Sequence, residues 1–289
     1  MSSDETIETI GMIGLGLLGS ALSERLLDGG FSVLGFDLDA QRRDELVKRG
    51  GRIADEVTDM ARECSHILLS LPDSSISTSV IEQLRPHLRP DAIIIDTTTG
   101  SPIEMTQLGE QLAEQGVGYL DATVGGSSMQ AREGEALIMV GGDNAHVAAC
   151  QGILNALGHK TMHVGPSGSG ARMKLVVNLV LGLNRAVLAE GLSFAKATGV
   201  DPAKALEVLK ASPAHSTVMD TKGDKMLTGD FTAQARLRQH LKDVRLILES
   251  AVASGATTPL SEWHVETLQA LVDQGHGDDD NSSIIRAFE

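Results

Sequence analysis

The chain of 289 residues has few aromatic side chains and an excess of negative over positive charge. Only 2% of its residues are Phe, Trp or Tyr, so aliphatic side chains must fill the core. No aromatic platform on which nucleic-acid bases could stack is visible in the sequence. The formal net charge of -15 argues against nucleic acid or an anionic membrane surface as a partner.

Cysteine is also scarce. Cys64 and Cys150 are the only two, and neither has a neighbouring cysteine or the spacing of metal ligands, so a disulfide framework is excluded. Residues 1–9 are polar and acidic, without the apolar centre of a signal sequence, and no uninterrupted apolar run reaches membrane-spanning length. These absences predict a cytoplasmic protein with no membrane partner. The histidines at 215, 240, 264 and 276 fit no metal-binding motif, so no metal site is predicted.

Glycine is abundant near the start, where residues 10–19 predict a short strand, a tight turn and the beginning of a helix. Gly14 permits the turn, Gly16 lets the backbone approach a pyrophosphate, and Gly19 lets the helix pack on the strand. The helix offers its N-terminal N–H groups to the phosphates. The predicted dinucleotide-binding residues are Gly14, Leu15, Gly16, Leu17, Leu18 and Gly19.

The next predicted strand, 32–36, is followed by Asp37. A carboxylate there accepts hydrogen bonds from the adenosine ribose hydroxyls and repels the additional phosphate of NADP. NAD is therefore favoured over NADP, unless Arg42 or Arg43 turns in to compensate the charge. The alternative for these arginines is the solvated first turn of the following helix, for which Asp39 is the predicted N-cap.

Apolar strand-like segments alternate with amphipathic segments over residues 10–164, which is typical of a doubly wound parallel sheet covered by helices. The segment 165–170 is rich in Gly, Pro and Ser, and helical periodicity dominates from residue 171 onwards. The fold class is therefore α/β, with a Rossmann-type dinucleotide-binding domain over 1–165 and an all-helical substrate and dimerisation domain over 166–289. The predicted strands cover 9–13, 32–36, 66–71, 92–96, 118–122, 137–141 and 160–163.

The first helix after this segment, 171–198, is apolar over more of its surface than one small domain can cover. A second subunit packed against it is the explanation that we favour, so a homodimer is the minimum expected and a homotetramer is possible.

Three segments carry polar groups suited to a ligand. The segments 69–73 and 96–102 follow apolar strands, and their hydroxyl and N–H groups could meet a nicotinamide ribose. Alternatively, the threonines at 97–99 only end a strand and cap a helix. The segment 121–128 ends in two glycines and two serines, whose backbone N–H groups form either a nest for a carboxylate or a plain turn.

Lys174 and Asn178 are four residues apart near the start of the long helix, so they share one helical face. If this face points into a cleft between the two domains, a positively charged nicotinamide lowers the pKa of the lysine and makes it a general acid/base. The alternative is an ordinary surface lysine with a polar neighbour.

Together these motifs resemble the β-hydroxyacid dehydrogenases, a family typified by 3-hydroxyisobutyrate dehydrogenase and tartronate semialdehyde reductase, over nearly the whole chain. The resemblance implies hydride transfer between a nicotinamide and a small 3-hydroxy acid or its semialdehyde, with Lys174 moving the hydroxyl proton and Asn178 holding the lysine or the substrate. It also implies a 6-phosphogluconate dehydrogenase-like C-terminal domain. By the same analogy Leu71, Pro72 and Thr99 line the nicotinamide half, Lys242 closes over the cofactor, and Gly125, Gly126 and Ser127 bind the substrate. The matching segments are 14–19, 71–73, 96–102, 121–127, 170–174 with Asn178, 242–243 and 275–278.

The substrate loop departs from the family pattern Asp-Ala-Pro-Val-Ser-Gly-Gly, because Thr123 replaces the proline and Gly125 replaces the serine. Ser127 or Ser128 is then the source of the carboxylate-binding hydroxyl. Sulfolactaldehyde reductases have a similar loop, but their arginine is Gly126 here, so Arg132 or Arg172 would have to replace it. A non-catalytic nicotinamide-binding protein is the other alternative, and Lys174 argues against an imine reductase.

Overall fold

The computed structural model describes residues 7–289, which divide into two compact units at Lys174 and Leu175. The first unit contains a single eight-stranded sheet, which confirms the predicted α/β class. Its strands are β1 (Thr9–Ile13), β2 (Ser32–Phe36), β3 (Arg52–Ile53), β4 (His66–Leu69), β5 (Ile93–Asp96), β6 (Gly118–Gly125), β7 (Leu137–Gly141) and β8 (Lys160–Gly165).

The strand order is β3-β2-β1-β4-β5-β6-β7-β8, so the sheet reverses its winding direction at β1, between β2 and β4. Strands β1 to β6 are parallel, but β7 runs antiparallel to β6. The sheet is therefore mostly parallel, as predicted, with this one antiparallel pair. Only residues 126–136 connect β6 to β7, and a parallel crossover requires about a dozen residues or more.

The sheet is buried on both faces, as expected for strands that are apolar throughout. One core contains Ile10 and Met12 and the other contains Ile13, Ile67 and Leu69, so successive residues of a strand enter opposite cores. The helices of this unit are α1 (Leu17–Asp28), α2 (Ala40–Lys48), α3 (Asp59–Glu63), α4 (Ser74–Leu84), α5 (Pro102–Ala113), α6 (Ser128–Arg132), α7 (Asn144–Ala149) and α8 (Gln151–Leu157), with a short 3₁₀ segment at Arg85–His87.

The second unit is helical around its own core, which includes Leu188, Leu192 and Leu241. Its helices are the larger part of α9 (Ser169–Ala197), then α10 (Pro202–Ala211), α11 (Thr217–Thr228), α12 (Leu237–Ser254) and α13 (Pro259–Leu271), followed by a π turn at Val272–His276 and a 3₁₀ segment at Asn281–Phe288.

Within residues 7–289, α9 is the one helix whose length and composition would allow it to cross a membrane. The most apolar 18-residue stretch of α9 has a mean hydropathy of 1.5 despite its polar residues. The lack of an uninterrupted apolar run in the sequence therefore does not by itself rule out a membrane span. A core helix of a soluble protein meets the same criteria. In this structure α9 places Ala189 and Leu192 inside the core of the second unit.

Candidate active site

The glycine-rich turn between β1 and α1 has the geometry of a pyrophosphate cradle. Gly14 has a φ of +92°, which favours glycine, and a Cβ there would lie 2.3 Å from the Ser70 carbonyl oxygen at the end of β4. A Cβ on Gly19 would lie 1.9 Å from the Gly14 oxygen, so the helix packs directly on the turn. Gly16 is the N-cap of α1, and a Cβ there would meet only the end of the Arg42 side chain, at 3.3 Å. This backbone is compatible with the predicted pyrophosphate site over Gly16, at the helix N-terminus.

Asp37 follows β2 and is tied to this turn. Its Oδ2 accepts a hydrogen bond from the Leu15 N–H at 2.7 Å, and its Oδ1 accepts one from the Asp39 N–H at 2.8 Å. Arg42 lies on the first turn of α2 with its Nη1 3.6 Å from the Asp37 Oδ2. Arg43 donates to the Asp37 carbonyl oxygen at 2.6 Å, and Asp39 caps α2 as predicted. The Asp37 carboxylate is thus fixed beside the glycine-rich turn, with the Arg42 guanidinium next to it.

The two other predicted cofactor segments lie at the ends of β4 and β5. The Leu71 N–H donates to the Thr98 Oγ1 at 3.0 Å, so one segment holds the other. Thr97 and Thr98 are buried and serve this local structure, whereas Leu71 and Thr99 are partly exposed and Pro72 is exposed. Thr97 and Thr98 therefore match the alternative in which the threonines only end a strand and cap a helix. Of the three threonines, only Thr99 keeps its predicted role of contacting the cofactor.

Lys174 lies on the second turn of α9, at the end of the first unit. Its ammonium donates to the Val124 carbonyl oxygen at 2.7 Å, and the side chain is partly buried. Val124 is on β6, immediately before the predicted substrate residues. The structure therefore brings the lysine to the strand that enters the segment 125–128.

Asp121 and Thr123, also on β6, contact the start of the same helix. The Asp121 carboxylate accepts from the Gly168 N–H and the Ala171 N–H, both at 2.8 Å, and it is fully buried. Burial raises the pKa of Asp121 to about 6, although the Ala171 and Gly168 N–H groups favour the charged form. In the sequence both residues belong to a loop motif that predicts no separate role for either of them. The sequence signal for Asp121 was a carboxyl near the predicted end of a strand, just before the Gly/Ser segment 125–128.

The substrate segment itself begins within β6. Gly125 pairs with Leu137 of β7, and Gly126 has a φ of +136°. Ser127 is the N-cap of α6 in a capping box, in which its N–H donates to the Gln130 Oε1 at 2.9 Å and its hydroxyl oxygen accepts from the Gln130 N–H at 3.2 Å. Of the two serines proposed to supply a hydroxyl, Ser127 is therefore already engaged.

The two arginines considered as replacements for a missing anion-binding arginine have other partners. Arg132 pairs with Glu24 at 2.9 Å, and Arg172 donates to the Thr106 hydroxyl at 3.3 Å. These contacts give no support to an anchor for a sulfonate.

In the second unit, Asn178 and Lys242 meet at one carboxylate. The Asn178 Nδ2 donates to the Asp243 Oδ2 at 2.9 Å, and the Lys242 Nζ lies 3.1 Å from the Asp243 Oδ1. Asn178 and Asp243 are each 8% exposed. Asp243 therefore orients the predicted Asn178, a role that the Lys242-Asp243 pair in the sequence does not predict.

The same unit contains two buried histidines, His240 and His264, with ring centroids 5.1 Å apart. Burial lowers the pKa of His264 to about 4, with a further contribution from the Arg185 charge. No group of three or more His, Cys, Asp or Glu side chains in the described part of the chain is arranged to hold a metal ion.

Comparison with known proteins identifies the family. Residues 9–165 match the model of the NAD binding domain of 6-phosphogluconate dehydrogenase, and residues 168–288 match that of the NAD-binding domain of NADP-dependent 3-hydroxyisobutyrate dehydrogenase. The chain is 30% identical to 2-(hydroxymethyl)glutarate dehydrogenase of Eubacterium barkeri, over 97% of this chain and 94% of that protein. It is 28% identical to L-threonate dehydrogenase of Cupriavidus necator, over 96% and 95% of the two chains.

A solved structure of 3-hydroxyisobutyrate dehydrogenase from Mycobacterium tuberculosis shares the fold with a TM-score of 0.90. The match covers 98% of this chain and 100% of that one at 23% identity. Two consecutive family models and full-length relatives agree with the resemblance read from the motifs. The chain therefore belongs to the β-hydroxyacid dehydrogenase family of NAD(P)-dependent oxidoreductases.

Proposed function

We propose that the chain is an NAD-dependent oxidoreductase that transfers a hydride between nicotinamide and a small 3-hydroxy acid or its semialdehyde. The observation that carries this proposal is the Lys174 ammonium, which lies 2.7 Å from the Val124 carbonyl oxygen. A titratable donor held at the entrance to the segment 125–128 is placed to exchange a proton with a substrate bound on that segment.

A nicotinamide dinucleotide held by its pyrophosphate at the glycine turn would supply the hydride acceptor or donor. In oxidation, Lys174 as the neutral amine takes the hydroxyl proton of the substrate, and in reduction its ammonium returns that proton to the developing alkoxide. The Val124 carbonyl stabilises the ammonium after it has accepted the proton. Asn178, one helical turn later, has its amide fixed by Asp243 and orients the substrate oxygen.

The substrate carboxylate is proposed to bind at the segment 125–128. Gly125 and Gly126 have no side chains that would block the approach of a carboxylate, and Ser128 is the serine outside the capping box. The relatives act on 2-(hydroxymethyl)glutarate and L-threonate according to their names, so a hydroxy acid of similar size is the expected class.

Nicotinamide absorbance measured with a panel of 3-hydroxy acids and semialdehydes tests the function, with NAD and NADP in parallel. The panel contains 3-hydroxyisobutyrate, L-threonate, 2-(hydroxymethyl)glutarate and tartronate semialdehyde. We expect saturable turnover with at least one member and NAD. If NADH binds tightly and no member is turned over, the proposal fails in favour of a non-catalytic nicotinamide-binding protein.

The preference for NAD is proposed from the position of Asp37. Its carboxylate is held in place by the Leu15 and Asp39 N–H groups and repels a 2′-phosphate. The Arg42 guanidinium, 3.6 Å away, offsets part of this charge but remains nearly half exposed to solvent. A weaker use of NADP is therefore compatible with the same site.

Substituting Asp37→Ser is expected to lower the ratio of kcat/KM for NAD to that for NADP by about tenfold or more. A carboxylate and a phosphate about 5 Å apart near a protein surface repel by roughly 3 kcal/mol before salt screening, and the variant loses this repulsion while Arg42 remains. Asp39→Ser is the matched control, since it removes a nearby carboxylate and keeps an N-capping side chain for α2. Equal shifts in both variants would mean that overall charge, rather than Asp37, sets the preference.

We also propose that the chain forms a homodimer or homotetramer through α9. Four apolar side chains on this helix are 51–69% exposed, and their spacings of four, seven and seven place them along one face. Burying such a stripe against a second copy is favourable. The stripe consists of Val176, Val180, Val187 and Phe194.

Val187→Glu is expected to shift the protein toward its monomer mass of 30.5 kDa in sedimentation velocity, because a charge would be buried in the interface. Val208→Glu on α10 is the control, since this valine is comparably exposed and lies outside the stripe. A wild type that sediments as a monomer, or a Val187→Glu protein that stays associated, would contradict an interface on α9.

A further inference from the structure

Three residues of strand β6, namely Asp121, Thr123 and Val124, bond the N-terminal end of α9 through polar groups. The Asp121 carboxylate accepts from the Gly168 and Ala171 N–H groups, and the Thr123 hydroxyl donates to the Gly170 carbonyl oxygen at 2.9 Å. The Val124 carbonyl accepts from the Lys174 ammonium at 2.7 Å.

The Thr123 hydroxyl bonds the carbonyl oxygen that also accepts the Lys174 backbone N–H. In an α-helix the carbonyl of residue 170 accepts the N–H of residue 174, so one oxygen of Gly170 joins Thr123 to Lys174. Val124, the next residue along β6, holds the other end of the same lysine. Lys174 is therefore fixed at its backbone and at its ammonium by two adjacent residues.

The helix also lies too close to the strand to shift toward it. A Cβ on Gly170 would lie 2.1 Å from the Asp121 carbonyl oxygen and 2.8 Å from the Met139 carbonyl oxygen. Thr123 is completely buried, and its hydroxyl lies nearer to the Gly170 carbonyl oxygen, at 2.9 Å, than to the Met139 carbonyl oxygen, at 3.4 Å. The hydroxyl thus adds a directional bond to a contact that is already at backbone-to-backbone distance.

We propose that Thr123 is a positioning residue for Lys174, setting the placement of its helical turn over β6 and thereby the position of its ammonium. This inference rests on the proposed function for its consequence in catalysis. An ammonium displaced by a fraction of an ångström loses alignment with the substrate hydroxyl, and misplacement by about 1 Å can cost a factor of about 10² in rate.

The test compares Thr123→Val, which keeps the shape and removes the hydroxyl, with Thr123→Ser, which keeps the hydroxyl. We expect kcat of the valine variant to fall about tenfold while KM for substrate and NADH affinity stay within about twofold of wild type. The serine variant should recover most of the lost kcat. Thr78→Val on α4 is the control, since it also removes a hydroxyl that bonds a backbone carbonyl.

A second readout does not depend on turnover. The rate of acetylation of Lys174, measured by mass spectrometry against the exposed Lys160, should rise severalfold in Thr123→Val because the ammonium is held less firmly at Val124. A valine variant with wild-type kcat and wild-type acetylation would overturn the role of Thr123, and so would a serine variant as impaired as the valine variant. A lower melting temperature with unchanged kcat and acetylation would assign Thr123 to stability alone.

The two proposals can fail separately. If the wild type turns over no member of the substrate panel, the proposed function fails and the acetylation rates alone decide whether Thr123 positions Lys174. If the wild type is active and the valine variant is indistinguishable from it, the function stands and the positioning role is rejected.

Discussion

Replacing Lys174 with alanine is expected to reduce kcat by roughly 10²- to 10⁴-fold, the range contributed by a positioned general acid/base. The side chain is partly buried and makes its hydrogen bond to a backbone carbonyl at 2.7 Å. Its removal therefore costs little packing, and alanine suits the helix. NADH binding should be unchanged, because the glycine turn and Asp37 are on other elements. Steady-state rates together with NADH fluorescence titration separate these two effects.

Lys174→Arg makes the test sharper. Arginine keeps the positive charge and the donors but does not give up its proton near neutral pH, so this variant should be as inactive in oxidation as the alanine variant. Lys196→Ala, on the exposed last turn of the same helix, is the matched control and should keep wild-type rates. An arginine variant with substantial activity would show that Lys174 supplies charge rather than proton transfer.

Gly19→Ala is expected to destabilise the protein by about 3 kcal/mol or more and to abolish measurable NADH binding. The added Cβ would lie 1.9 Å from the Gly14 carbonyl oxygen, and this is backbone that cannot rotate away. Helix α1 must then separate from β1, which removes both the packing beneath the turn and the alignment of the helix N-terminus with a pyrophosphate. Thermal melting without cofactor and NADH titration measure the two losses.

Gly16→Ala in the same turn should behave differently. Its φ of -64° is ordinary for alanine, and the nearest atom to the new Cβ is the flexible end of Arg42 at 3.3 Å. We expect an unchanged melting temperature without cofactor and weakened NADH binding, because the methyl group occupies the approach of the pyrophosphate. Unchanged melting temperatures in both variants would contradict the close packing of α1 on this turn.

Much of the first unit could be predicted from local sequence because its strands are apolar and bounded by breakers. The predicted bounds of β1, β2 and β7 coincide with those in the structure. Strand β3 was missed because it comprises only Arg52 and Ile53, too short to show a periodicity. Strand β6 was predicted to end at residue 122 but continues to Gly125, because Thr123 and Gly125 pair with β7 across the sheet. Such pairing is tertiary, and Gly-Gly-Ser-Ser locally resembles a loop.

In the candidate site, too, residues with local roles could be predicted from the sequence, whereas residues with distant contacts could not. Gly14, Gly19 and Asp37 could be placed from spacing alone, since each answers a local geometric requirement of the turn. Asp243 could not, because its contacts come from α9 and α12, far apart in sequence. The early end assigned to β6 also hid the buried position of Thr123, which depends on α9 folding back to the strand. Roles that arise from such distant contacts require the folded chain.

The cap that Asp121 provides to α9 also decides where the chain can be divided. A fragment ending at Gly165 would contain β8 complete but would lack the Gly168 and Ala171 N–H groups, leaving a buried carboxylate with neither of these donors. It would also lose Ala171 from the core that contains Ile67 and Tyr119. For autonomous folding the dinucleotide-binding module is therefore longer than its sheet, and its smallest self-sufficient form carries the opening turns of a helix that continues into the other module.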